Sequence, residues 1–125
     1  MHIIASIGLI ILFSLSIFQL LLILGKPLGE YAWGGQHKIL PRRLRVGSFV
    51  SIILYLVFSL FLISKAGILP VISSQPLLTI GMWVFTGYFI LGIFMNFISR
   101  NKKERALMTP VATLLAIVFL IVSIN

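Results

Sequence analysis

The chain contains no cysteine and only two acidic residues, Glu30 and Glu104, among its 125. The absence of cysteine excludes a disulfide scaffold and a thiolate metal centre. It also removes the acceptors for palmitoyl and prenyl groups, and position 2 is not the glycine that myristoylation needs. Charge of either sign is scarce. Asp, Glu, Lys and Arg together make up 10% of the residues, against about a quarter in a soluble domain. A small soluble enzyme needs more polar surface than that. A disordered basic tail is excluded from the other direction, because such tails are poor in apolar residues and this chain is 60% hydrophobic.

Long apolar runs are what the sequence has in abundance. Four stretches, at about 3–24, 46–64, 77–99 and 106–124, hold no Asp, Glu, Lys, Arg or His. A bilayer core of about 30 Å takes roughly 20 helical residues per crossing. In lipid each backbone must satisfy its own hydrogen bonds, so runs rich in Ile, Val and Phe are still read as helices. The expected fold is an all-α membrane protein, with four transmembrane helices in a single compact bundle.

Boundary residues extend these cores into the interface. Ser74 and Gln75 precede Pro76, which suits a first helical turn. Asn101 with Glu104 three positions on fits a helix cap, and Pro41 marks an interfacial start. The helices are then expected at about 3–24, 42–64, 76–99 and 103–124, with a Gly-rich loop over 25–41. Pro110 leaves two options, a kink inside a long fourth helix or the start of a shorter one capped by Thr109. The longer version is favoured, because a helix starting at Pro110 would reach only about 22 Å. The first segment is not expected to be a cleaved signal peptide, since no Lys or Arg precedes a run longer than a typical h-region.

The net charge of +8 is distributed unevenly. Lys26, Lys38, Arg42, Arg43 and Arg45 lie between the first two segments. Arg100, Lys102, Lys103 and Arg105 lie between the last two, and Lys65 alone lies between the second and third. Short cytoplasmic loops carry the Lys/Arg excess. Both termini are therefore expected outside, and loops one and three in the cytoplasm. Nucleic acid is not an expected partner, as no soluble domain presents the charge. Anionic lipid headgroups are, at about 1 kcal/mol per juxtamembrane cation.

Small and weakly polar residues mark helix contacts in membranes. Ser48, Ser51, Tyr55 and Ser59 share one face, as do Gly81, Tyr88, Gly92, Asn96 and Ser99, and Thr109, Thr113, Ala116 and Ser123. These seams are expected to face inward. Gln19 and Asn96 are the most polar intramembrane side chains, and a hydrogen bond between them is expected near the cytoplasmic side. The stretch between the third and fourth helices, SRNKKERAL, reads as a solvated turn.

Loop one, GKPLGEYAWGGQHKILPRRLR over 25–45, is the unusual element. It is long for a connection in a small bundle and too apolar for disorder, so it is expected to fold back on the cytoplasmic mouth. Glu30 and His37 offer either a proton-handling pair or two metal ligands, short of the three that a catalytic metal needs. Arg42, Arg43 and Arg45 offer a phosphate cradle. The simpler expectation is an interfacial cap, with Glu30 paired to an arginine and His37 hydrogen-bonded. The candidate binding residues are Glu30, Tyr31, Trp33, Gln36, His37, Arg42, Arg43 and Arg45, with Gln19 and Asn96 from the helices. No catalytic residue, metal set or cofactor is assigned.

The stretches GEYAWGGQHKILPRRLRVGS and NFISRNKKERALMTPVA resemble a set of small bacterial four-helix integral membrane proteins. The resemblance covers most of the chain. It implies a bacterial plasma-membrane setting and brings no activity. The function expected from the residues is small-molecule or lipid transport or binding, with loop 25–45 at the cytoplasmic entrance and a path between subunits of a homo-oligomer. The alternatives are an accessory or structural subunit of a larger membrane complex and, third, a lipid-modifying membrane enzyme.

Overall fold

A computed structural model describes all 125 residues. It contains four long helices and no strand: α1 (His2–Ile23), α2 (Arg42–Lys65), α3 (Gln75–Phe97) and α4 (Lys102–Ile124). All four are long and apolar enough to cross a membrane, and their ends fall within two residues of those read from the sequence. Two short 3-10 turns, Gly29–Tyr31 and Trp33–Gly35, fold the long loop between α1 and α2.

The helix starts follow local chemistry. Ser74 accepts the Leu77 N–H and Pro76 sits in the first turn of α3, where its missing donor costs nothing. Asn101 Oδ1 accepts the Lys103 N–H at 2.8 Å, so α4 begins at Lys102 and runs unbroken through Pro110. The shorter fourth helix is thereby excluded. Glu104 does not complete the expected capping box. The Asn101 N–H goes instead to the Ser99 hydroxyl, and Glu104 is engaged elsewhere.

The two hairpins, α1 with α2 and α3 with α4, make the most extensive contacts, and α1–α4 and α2–α3 contacts close the bundle. Close side-chain packing holds the helices together. Phe58 is 2% exposed and lies edge-on to Phe85 at 4.7 Å and Phe89 at 5.1 Å. Phe61, Tyr88 and Phe119 extend this aromatic cluster across α2, α3 and α4. Towards the chain termini the helices approach closely. A Cβ on Gly8 would stand 2.8 Å from Val118, and one on Gly81 would overlap the Phe61 ring.

The small-polar seams face inward at Ser48, Ser99, Ala116 and Ser123, which are buried, but they bond little across helices. Ser51, Ser59, Asn96 and Thr113 each donate to a carbonyl four residues back on their own helix, a local bond open to any such side chain in a helix. Tyr88 is half exposed. The hydroxyl pair that bridges two helices is Thr86 with Ser123, at 3.3 Å, and Thr86 lay outside the expected seam.

Candidate functional site

Loop one is built as a strap across one end of the bundle. Gly29 donates to the Lys38 carbonyl at 2.8 Å, which closes residues 29–38 into a compact fold. Leu22, Ala32 and Leu40 form a small second core beneath it, flanked by Phe18, Leu28 and Leu44. Trp33, Gly34 and Gly35 then follow one another with positive φ, at 54°, 81° and 69°. Glycine adopts that region freely, whereas tryptophan is rarely found there.

The turn at 33–35 aims three groups at the helices. The Trp33 indole N–H donates to Ser48 of α2 at 3.1 Å, and Gly47 leaves room for its ring, since a Cβ there would stand 2.7 Å away. The Gly34 N–H donates to Glu104 Oε2 of α4 at 3.1 Å. The Gly35 carbonyl accepts from Asn101 Nδ2 at 2.9 Å. At the rim Lys103 bonds Glu30 at 3.0 Å and lies 5.9 Å from the centre of the Tyr31 ring. The hydrogen bond and charge of Lys103 hold the Glu30 carboxyl below its ordinary range.

Beneath the strap lies a cavity of about 440 Å³, mostly apolar, bounded by all four helices and by Ala32 and Trp33. Its polar lining comes from Gln19, Asn96, Glu104 and the tyrosines Tyr55 and Tyr88. It extends along α4 from Glu104 to Leu115, or about 16 Å of helix. Leu91 and Met95 line it and are each 60% exposed, so it opens laterally beside α3.

Gln19 is the unsatisfied group in this cavity. It is 6% exposed. Its Nε2 donates to the Tyr55 hydroxyl at 3.4 Å, but its Oε1 has no partner. Such an orphaned buried acceptor costs about 1–3 kcal/mol.

Of the ten candidates, the cavity brings together Gln19, Trp33 and Asn96. Gln19 and Asn96 share it without bonding each other, because each finds a nearer partner, Tyr55 and the Gly92 carbonyl. Glu30 pairs with Lys103 rather than an arginine, since the start of α4 docks directly on the strap. Glu30, Tyr31, Gln36 and His37 lie outside the cavity lining. The His37 side chain makes no hydrogen bond; its backbone carbonyl packs against Gly29. Arg42 and Arg43 are exposed and Arg45 donates to the Leu40 carbonyl at 2.8 Å. The segment read as a solvated turn is in fact docked, with Ser99 and Glu104 buried.

Glu104 was missed because an acid three residues after Asn101 already has a local explanation. Its real partner, Gly34, is 70 positions away in sequence. Comparison with known proteins returned no match among family models, curated sequences or solved structures.

Proposed function

We propose that this is an integral protein of a bacterial plasma membrane that binds a small molecule or lipid in the strapped cavity, at the cytoplasmic entrance formed by loop 25–45. The observation that carries the reading is the mostly apolar cavity of about 440 Å³, with the unpartnered acceptor Gln19 Oε1 buried on one of its lining residues. Protein interiors rarely leave such an acceptor unpaired without reason, and ligand sites characteristically combine apolar walls with a few fixed polar groups. The positions of the basic residues support both termini outside, with the strap and the α3–α4 connection in the cytoplasm.

The decisive experiment pairs a thermal-shift screen of lipids and small solutes with the variant Gln19→Leu. A true ligand at about 100 times its Kd adds about 2.7 kcal/mol to the wild type. In Gln19→Leu that gain disappears, while unliganded stability stays equal or rises because the orphaned acceptor has gone. A silent screen together with a clearly destabilised variant would show that Gln19 serves the fold alone. A cysteine at position 102 that labels from outside intact cells would overturn the orientation.

A further inference from the structure

Glu104 is the one buried charged side chain in the protein, at 6% exposed. No cation pairs with it; the structure's ion pair is Glu30 with Lys103. Taking a carboxylate out of water without a counter-charge is costly. The α4 N-terminus and the Gly34 N–H offset part of that cost, but the bond engages Oε2 only. The cavity that Glu104 lines contains no Lys, Arg or His. Its other polar groups are the Tyr55 and Tyr88 hydroxyls, Gln19, and Asn96, whose Nδ2 is committed to its own helix. Trp33, Tyr55, Tyr88 and Phe89 add aromatic surface.

We propose that the ligand is a lipophilic ammonium, with its cationic end at Glu104 under the Trp33 roof and its apolar body extending towards Phe89. The inference rests on the cavity-binding reading above and names its ligand class. The ammonium supplies the charge that Glu104 lacks. Aromatic faces stabilise a cation further. The slot is longer than a head group needs, so a chain or ring attached to the ammonium fills its apolar end. The same chemistry is carried by a free amine and by an aminophospholipid headgroup.

The test measures equilibrium binding to the full chain in maltoside micelles, using three probes with one apolar body: 4-phenylbutylammonium, 4-phenylbutanol and 4-phenylbutyrate. The cation is expected to saturate at an affinity about tenfold or more above the alcohol, with the carboxylate weakest. Glu104→Gln is expected to level cation and alcohol. Glu104→Asp, which keeps the charge, is expected to retain the preference, and it serves as the control if the Gln variant unfolds. Equal binding of alcohol and cation in the wild type, or a cation preference that survives Glu104→Gln, overturns the ammonium while leaving cavity binding intact. If none of the three binds, cavity binding itself fails and the ammonium with it. Adding phosphatidylethanolamine or phosphatidylglycerol then separates the sources. Displacement of the probe by the former alone assigns the headgroup amine, and displacement by neither assigns a free amine.

Discussion

The two ends of the bundle solve the same packing problem in opposite ways. At the end holding the chain termini, Gly8 and Gly81 let side chains from neighbouring helices come close, and the buried hydroxyls of Thr86 and Ser123 bond each other. The connection there, between α2 and α3, is tied back to the end of α2 by the Gly67 and Ile68 N–H groups and by the Ile72 N–H to the Ser64 hydroxyl. At the other end a cavity of about 440 Å³ remains, an acceptor is left unpaired, and a strap is fastened to α2 and α4 by polar bonds. Dense packing suffices where nothing needs to enter. The hollow end carries a separate roof, fixed by polar tethers together with the small core of Leu22, Ala32 and Leu40. Most of those tethers come from α4, so the roof, α4 and the cavity form one mechanical unit.

Breaking the roof itself should produce the largest effect. A Cβ on Gly29 would overlap the carbonyl oxygen of His37, and backbone cannot step aside as a side chain can. Gly29→Ala is expected to cost about 3 kcal/mol and to raise hydrogen exchange throughout 25–41, measured by mass spectrometry. At the dense end, Gly81→Ala drives a methyl into the Phe61 ring and is expected to cost about 1–3 kcal/mol through overpacking. Exchange in loop one should stay unchanged, because the two ends share little. A Gly81 variant that loosened the strap would contradict the division drawn here.

Asn101 sharpens the contrast, because it serves helix and roof together. Its Oδ1 caps α4 and its Nδ2 holds the Gly35 carbonyl. Asn101→Ala is expected to lose about 1–2 kcal/mol, accompanied by local opening of the strap. Asn101→Asp keeps the cap and loses the donor, so it should open the strap while α4 remains intact. Gly92 gives the opposite sign. Its added methyl would meet only Ala112, at 3.9 Å, so Gly92→Ala is expected to stabilise α3 by about 0.5–1 kcal/mol. Thermal unfolding measured against Gly81→Ala shows whether the hollow end really has room.

The helices were legible because a bilayer sets their length and excludes charge, so four uninterrupted runs leave little choice. Loop one was legible as an oddity from its glycines, its length and its apolar content. What escaped was everything fixed over long sequence separation. Phe58 is 2% exposed and Phe94 63%, yet in a chain with ten phenylalanines a core ring and a lipid-facing ring look alike, since both surroundings are apolar. Gln19, Trp33 and Asn96 stood out because polar or bulky amphipathic groups are conspicuous against Leu and Ile. Glu104 did not, because its position three residues past Asn101 offered a complete local account. The arginines drew attention by their charge, whereas the buried acid lines the cavity.

The weakest tether should respond to pH. The Glu30–Lys103 pair sits at the rim, with side chains 31% and 55% exposed, so solvent and salt screen it. Lys103 lowers the Glu30 pKa, so the folded protein binds a proton there less readily than the unfolded chain does. The contribution of the pair is therefore fully present above the ordinary carboxylate value of 4.5 and is lost as the pH falls below it, through the folded value. Exchange at 29–35, followed from pH 6 towards pH 3, should rise over that acidic interval in the wild type. Glu30→Gln should remove the Glu30-dependent part of the rise and leave stability at neutral pH almost unchanged. If Glu30→Gln instead opened the strap at neutral pH, the rim pair would rank with the buried bonds to Gly34 and Gly35, and the roof would depend on surface charge rather than on its buried tethers.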